Sequence, residues 1–245
     1  MNIAVISNEK TDIKFEGCSI AYFSPNEKAG PEIWGGYDAA FLVGPFSEKV
    51  LINWVGHPYL RQLDDICELE AEIEFIKRGV EIEKKLLIKY PDFESLKKYF
   101  PFKADIVQVY LLSDDGSHRI RKRTMGNAVS YVETIKKRID GASSYEQEKR
   151  IDETEYNRLL TLADKSKHPI IKQRYCFLFE GQYFELDTYD FWNDRATLEL
   201  ELKDENEAFT LPPEITLIAD VTYDFRYKNN YLAGIKYEDY KTELL

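Results

Sequence analysis

The stretch Val80-Glu81-Ile82-Glu83-Lys84-Lys85-Leu86-Leu87-Ile88 decides how this chain is read. Alternate side chains of a β-strand share a face, so Glu81, Glu83 and Lys85 project together in one row. Two neighbouring carboxylates repel unless a cation sits between them, most simply a divalent metal. Taken alone, the segment fits the wet face of a half-buried sheet better. The rest of the chain repeats the arrangement, with the sign of the charge sorted strand by strand.

Arg119 and Arg121 share a face of Arg119-Ile120-Arg121-Lys122-Arg123, which reads as the second arm of a hairpin from 107–112 through the turn Asp114-Asp115-Gly116. Thr134 and Lys136 share a face of the next strand, and Glu146-Gln147-Glu148 pairs two carboxylates. Lys172-Gln173-Arg174 opens a further strand. Glu185 and Asp187 point one way while Phe184 and Leu186 point the other, and Glu199 and Glu201 alternate with leucines in the same manner. The last strand of the pattern is read over 223–232, with Arg226 and Lys228.

If the leucine faces are buried, the charged faces need a destination. An open sheet would show them to water. A sheet closed into a barrel with helices outside would line its interior with Glu, Asp, Arg and Lys. Such an interior is costly unless the charges are compensated. A polyanion with a divalent metal supplies the compensation, phosphate oxygens on the cations and metal on the carboxylates. Charges on a solvated face would mix at random within each strand, whereas here acidic and basic pairs are segregated.

The chain of 245 residues is long enough for one large or two small domains. Its net charge of -11 disfavours nonspecific binding to nucleic acid duplexes or to an anionic membrane surface. No apolar run is long enough to span a bilayer, and residues 1–8 lack the basic and apolar regions of a signal peptide. Cys18, Cys67 and Cys176 are scattered and odd in number, which fits a reducing, cytoplasmic setting; with His57, His118 and His168 also far apart, no zinc spacing is present.

Residues 3–7, 18–23, 39–43 and 50–55 read as buried strands of a small α/β unit, separated by turns such as Ser24-Pro25-Asn26 and Gly35-Gly36. This unit has no phosphate-cradling glycine loop. Ile66, Leu69, Ile73 and Ile76 give helical spacing over 64–78, with Gly79 as the stop. Further helices are expected over 92–100 and from Asp152, with Tyr156, Leu159, Leu160 and Ala163 as the buried face of the second. The tail from Tyr237 to Leu245 is polar. The expected class is α+β: an eight-stranded antiparallel barrel with surrounding helices over 79–245, preceded by the α/β unit over 1–78.

The run Glu81-x-Glu83-x-Lys85 followed by this ordered set of charged pairs resembles the CYTH domain of the triphosphate tunnel metalloenzymes, whose signature is ExExK. The resemblance covers roughly 80–233. It implies an antiparallel eight-stranded tunnel that binds a triphosphate with Mg2+ or Mn2+. Glu81, Glu83, Asp187, Glu199 and Glu201 would hold metal. Lys85, Arg119, Arg121, Lys136, Arg174 and, less directly, Lys228 would grip phosphates, and Glu81, Glu83, Lys85 and Lys136 would be the catalytic set. Glu146 and Glu148 would serve a second metal or orient the basic residues. Lys122, Arg123 and Lys137 read as solvated or salt-bridged strand residues.

The implied activity is hydrolysis of the terminal phosphate of inorganic, nucleoside or thiamine triphosphate. The alternatives are a nucleotidyl cyclase or transferase releasing pyrophosphate, and a non-catalytic triphosphate sensor. The stretch Trp54-Val55-Gly56-His57-Pro58-Tyr59-Leu60-Arg61 with Asp64 is similar to the end of the AAA-type ATPase domain fused before some CYTH domains. Without a Walker A loop, that implies a degenerate remnant in which His57 is structural. Its expected roles are to cap the tunnel, to select substrate or to form a homodimer.

Overall fold

The computed structural model describes residues 1–8, 14–27, 29–44, 50, 53–54, 57, 59–99, 103–114, 116–140, 143–202 and 204–235. Two sheets organise them. The first is four-stranded, wholly parallel and ordered β2-β1-β3-β4, from β1 (Asn2–Ile6), β2 (Ser19–Phe23), β3 (Ala39–Val43) and β4 (Leu60–Leu63). A parallel sheet covered on both faces carries continuous apolar strands, and every residue of β3 is buried. Ile3, Val5, Ala39, Phe41 and Leu63 face helix α2 (Leu69–Arg78), which contributes Leu69 and Ile73. Ala4, Ile6, Ala40, Leu42 and Leu60 face the opposite way. They pack with Trp34, at the end of the short helix α1 (Pro31–Trp34), and with Trp54.

The expected strand over 50–55 is not found: Val50, Asn53 and Trp54 have helical backbone, and the remainder lies outside the described residues. The helix over 64–78 is present. Asp65 caps a 3-10 turn at Ile66–Glu68 through a capping box, and Gly79 ends α2 at φ 63°, a left-handed conformation suited to glycine.

The second sheet is antiparallel and has nine strands rather than eight. Its strands are β5 (Val80–Lys89), β6 (Lys103–Leu111), β7 (Ser117–Met125), β8 (Ala128–Asp140), β9 (Ser143–Ile151), β10 (Ile170–Phe179), β11 (Gln182–Tyr189), β12 (Arg195–Leu202) and β13 (Leu217–Asp220). The order is β12-β11-β10-β6-β7-β8-β9-β5-β13, and β12 additionally pairs with β5 along Ile82–Lys89. On its other edge β5 meets β9 at Val80–Ile82 and β13 at Leu86–Ile88. Helices are few: α3 (Phe93–Leu96), α4 (Glu153–Leu160) and α5 (Asn229–Leu232) join α1 and α2. The class is therefore α+β, with one large antiparallel sheet.

Asp92 and Asp152 cap α3 and α4 through their carboxylates, as the sequence predicts. Tyr156 and Leu159 of α4 pack on Val109, Leu111 and Ile120. Residues 223–232 do not form the expected strand. Asp224 accepts from the Arg226 amide and caps a 3-10 turn at Phe225–Tyr227, after which α5 begins. The tail from Tyr237 lies outside the described residues.

One face of the large sheet is apolar. Leu86, Ile88, Phe177, Phe184, Leu186, Leu198, Leu200 and Leu202 pack there with Leu96 of α3 and Ile215. At about 25 cal/mol per Å2 of apolar surface, this cluster supplies much of the drive that fixes register. The alternate residues are forced to the other face, where the charges collect.

Candidate active site

The charged face lines a cavity of about 860 Å3, reached by residues of β5 to β12 and by Lys228. Register decides who meets whom. On β5 and β12, Lys85 lies opposite Glu199 and Glu83 opposite Glu201. On β12 and β11, Glu199 lies opposite Glu185. On β11 and β10, Asp187 lies opposite Arg174. Pairs directly opposite have Cβ atoms about 5 Å apart, so like-charged pairs need cations nearby.

Those cations are present. Lys85 is 1% exposed and its Nζ donates to Glu199 Oε1 at 2.5 Å. Arg174 donates from Nη2 to Glu199 Oε2 at 2.7 Å and to Asp187 Oδ2 at 2.6 Å, from Nε to Asp187 Oδ1 at 2.7 Å, and also pairs with Glu185. Burial raises the proton affinity of Asp187, but Arg174 and Lys172 outweigh it and hold its pKa down. Burial does the same at Glu199, and Lys85, Lys172 and Arg174 together hold it well below the usual carboxylate range. At Glu185 burial wins over Arg174 and the pKa is raised.

The basic half faces β9. Arg119 Nη2 donates to Glu146 Oε1 at 2.8 Å, Arg121 pairs with Glu148, and Lys136 Nζ lies 2.9 Å from Glu146 Oε2. Glu146 and Glu148 are thus both paired with basic side chains. Glu83 bridges the two halves, with Lys136 at 3.6 Å and Lys228 at 3.3 Å. Burial and Glu199 push the Glu83 pKa up, yet Lys136, Lys228 and Lys85 bring it below its ordinary value. Lys228 reaches this position from the junction of the last 3-10 turn and α5, not from a strand. Glu81 is on β5 opposite Ser144, but its side chain lies outside the described residues.

Lys172 and Arg123 also line the cavity, beyond the residues that the sequence pattern singles out. Lys172 is buried, lines the cavity and donates to Asp187 Oδ2 at 2.5 Å. Burial and then Arg174 lower its pKa to about 8. Its signal was available, because Lys172 shares the face of Arg174 by period two. Arg123, read from the sequence as a solvated or salt-bridged strand residue, lines the cavity, with Nη2 3.9 Å from Cys176 Sγ. Lys122 stays outside, 6.0 Å above the Tyr131 ring, and Lys137 is exposed. His57 is fully buried. Its Nδ1 accepts from the Tyr59 amide at 3.0 Å and its Nε2 faces the Tyr37 carbonyl at 3.2 Å.

Among the described residues no three metal-capable side chains stand together. Register instead sets acidic residues opposite one another in pairs, Glu83 with Glu201 and Glu185 with Glu199. All donors are oxygens, which suits Mg2+ or Mn2+. Mg2+ at phosphate sites commonly takes one or two carboxylates, with phosphates and water completing its shell. The opposed pair fits that demand.

Acidic strands thus wall one side of the cavity and basic strands the other. No family model matches the chain, and no curated protein matches it. Among solved structures, the chain is 31% identical to the inorganic triphosphatase NE1496, covering 64% of this chain and 95% of that one, with a TM-score of 0.41. HpAC1 from Hippeastrum, whose structure is described as revealing a dominant triphosphatase activity, is 15% identical, with 50% and 80% covered and a TM-score of 0.39. PH1819 from Pyrococcus horikoshii is 22% identical, with 51% and 80% covered and a TM-score of 0.40. The identity to NE1496 along nearly its whole length shows the family: this chain belongs to the CYTH proteins, the triphosphate tunnel metalloenzymes.

Proposed function

We propose that the protein is a divalent-metal-dependent triphosphatase, whose large sheet winds into a tunnel that holds the triphosphate. Pairing of β5 with both β9 and β12 supports the winding. The observation that carries the function is the cavity in which Lys85, Arg119, Arg121, Lys136, Arg174 and Lys228 meet Glu83, Glu199 and Glu201. NE1496, to which the chain is 31% identical, is an inorganic triphosphatase, and that supports the same reading. We also take residues 1–78 and 79–245 as the two structural units of the chain.

In this reading the guanidinium and ammonium groups hold the phosphate oxygens. They neutralise charge that grows on the leaving bridging oxygen, by position rather than by covalent chemistry. Glu83 and Glu201, joined by Glu81, Glu199 and Asp187, would hold Mg2+ or Mn2+. When bound, the ion neutralises phosphoryl oxygens and lowers the pKa of a bound water. Ion pairs such as Lys85–Glu199 keep the tunnel's charges compensated before substrate arrives. Water attacks the terminal phosphorus, the bond to the bridging oxygen breaks, and orthophosphate and a diphosphate leave.

The test is a product-resolved assay with inorganic triphosphate and each common nucleoside triphosphate, with Mg2+ or Mn2+. Orthophosphate with a diphosphate product is expected. Pyrophosphate with a cyclic or linked nucleotide would replace hydrolysis by nucleotidyl chemistry. Tight binding without turnover would leave a sensor.

A further inference from the structure

The parallel sheet does more than sit beside the cavity. Its inner face packs on Ala104, Ile106, Met125, Cys176 and Tyr183, and the Tyr183 hydroxyl donates to the His57 carbonyl at 2.8 Å. These residues belong to β6, β7, β10 and β11 and lie in strand order beyond Gln108, Arg123, Arg174 and Glu185. Arg150 of β9 ties the same region down by donating to the Gly35 and Tyr37 carbonyls. The parallel sheet therefore covers one end of the charged face.

From the edge of that sheet, β4 sends Arg61 into the cavity. Its Nη2 donates to Glu201 Oε2 at 2.8 Å and its Nη1 to the Glu201 carbonyl at 3.3 Å. The Tyr59 ring lies 5.2 Å below the guanidinium. The side chain is 11% exposed, against 33% for Glu201. Its Nε is buried and makes no hydrogen bond among the described residues. A planar guanidinium held on an aromatic ring is shaped for an oxyanion acceptor.

In the large sheet, Glu83 pairs with Lys136 and with Lys228 from outside it, Glu199 with Lys85 and Arg174, and the fully buried Asp187 with Lys172 and Arg174. Glu201 pairs with Arg61 of the parallel sheet. Glu201 lies opposite Glu83, in the pair that suits a divalent ion.

We propose that Arg61 is a substrate-binding residue supplied to the tunnel by the N-terminal region, gripping a phosphate oxygen of the triphosphate once Glu201 turns to the divalent cation. The proposal rests on the triphosphate-tunnel reading. It makes the covering sheet part of the site, with Arg61 serving the end of the phosphate chain nearest the parallel sheet.

Calorimetric titration of inorganic triphosphate, with and without Mg2+, tests it on Arg61→Gln, Arg61→Lys and Arg119→Gln beside the unaltered protein. Steady-state kinetics and melting temperature are read on the same samples. Arg61→Gln should weaken triphosphate binding and raise KM about tenfold or more, the loss of one charge-assisted contact. Its kcat should change much less, and Arg61→Lys should recover part of the affinity. Unchanged binding in Arg61→Gln, with weakened binding in Arg119→Gln, would make Arg61 only a rivet between the sheets and overturn the proposal. Unchanged binding in both would instead sink the tunnel reading beneath it. If Arg61→Gln does not fold, Arg61→Lys decides through the melting-temperature rise that triphosphate induces: a smaller rise than in the unaltered protein supports the proposal, and an equal rise refutes it.

Discussion

Lys172 shows how a single residue divides stability from function. It sits with Arg174 on one carboxylate, Asp187, so removing it leaves that carboxylate still paired. Breaking a buried pair outright costs about 3–5 kcal/mol, whereas replacing a charge by an apolar group of similar volume is often near neutral. Lys172→Met should therefore melt within a few degrees of the unaltered protein while binding inorganic triphosphate about tenfold more weakly, as expected for one charge-assisted contact. Equal affinity in a calorimetric titration would remove Lys172 from the site. Gly116 makes the opposite case. It has φ +76°, and a Cβ there would stand 2.4 Å from the carbonyl oxygen of Lys136. Gly116→Ala should lower stability by about 1–3 kcal/mol through strain alone and disturb Lys136. Denaturant unfolding checks the first effect, and the KM for triphosphate the second.

Individual elements were legible where local chemistry dictates them. Period-two alternation found the faces of β5, β7, β11 and β12, and side-chain caps found the starts of α3 and α4. It failed at 223–232, where aromatic residues suggest a strand but Asp224 caps a turn. It also could not see β12 lying against β5. That pairing joins residues more than a hundred positions apart, and only there do Lys85 and Glu199 meet. Arg61 was invisible as a site residue for the same reason, because its partner lies on another sheet.

The junction around His57 carries its own pH dependence. Burial lowers its pKa from 6.5 to about 3. The folded state then binds fewer protons than the unfolded state between those values. Stability is full above about pH 6.5 and falls as pH drops toward 3, by up to about 1.4 kcal/mol per pH unit. Between pH 6.5 and 5, above most carboxylate titration, the unaltered protein should lose stability more steeply than His57→Asn in denaturant unfolding. Equal slopes would mean that His57 is not held neutral by the fold.

At the scale of the whole molecule, the two sheets share a core. Ala4, Ile6, Leu42 and Leu60 pack in one cluster with Ala104, Ile106, Cys176 and Tyr183. Separation would expose apolar surface on both partners at about 25 cal/mol per Å2. Calorimetric unfolding should accordingly show one cooperative transition, in spite of the sharp change of texture near Gly79 that the sequence displays. Two resolved transitions would mean that the parallel sheet holds itself together and only leans on its neighbour. In that case its covering of the cavity would be intermittent.

Everything functional proposed for this protein depends on one cavity taking phosphates on its basic strands and a divalent cation on its acidic ones. Anomalous diffraction at the manganese edge, from crystals grown with Mn2+ and inorganic triphosphate, would locate both ligands at once. A manganese peak is expected between Glu83 and Glu201, with phosphate density against Lys85, Arg119, Arg121 and Arg174. Manganese bound away from those carboxylates, or triphosphate lying outside the cavity, would refute the assignment.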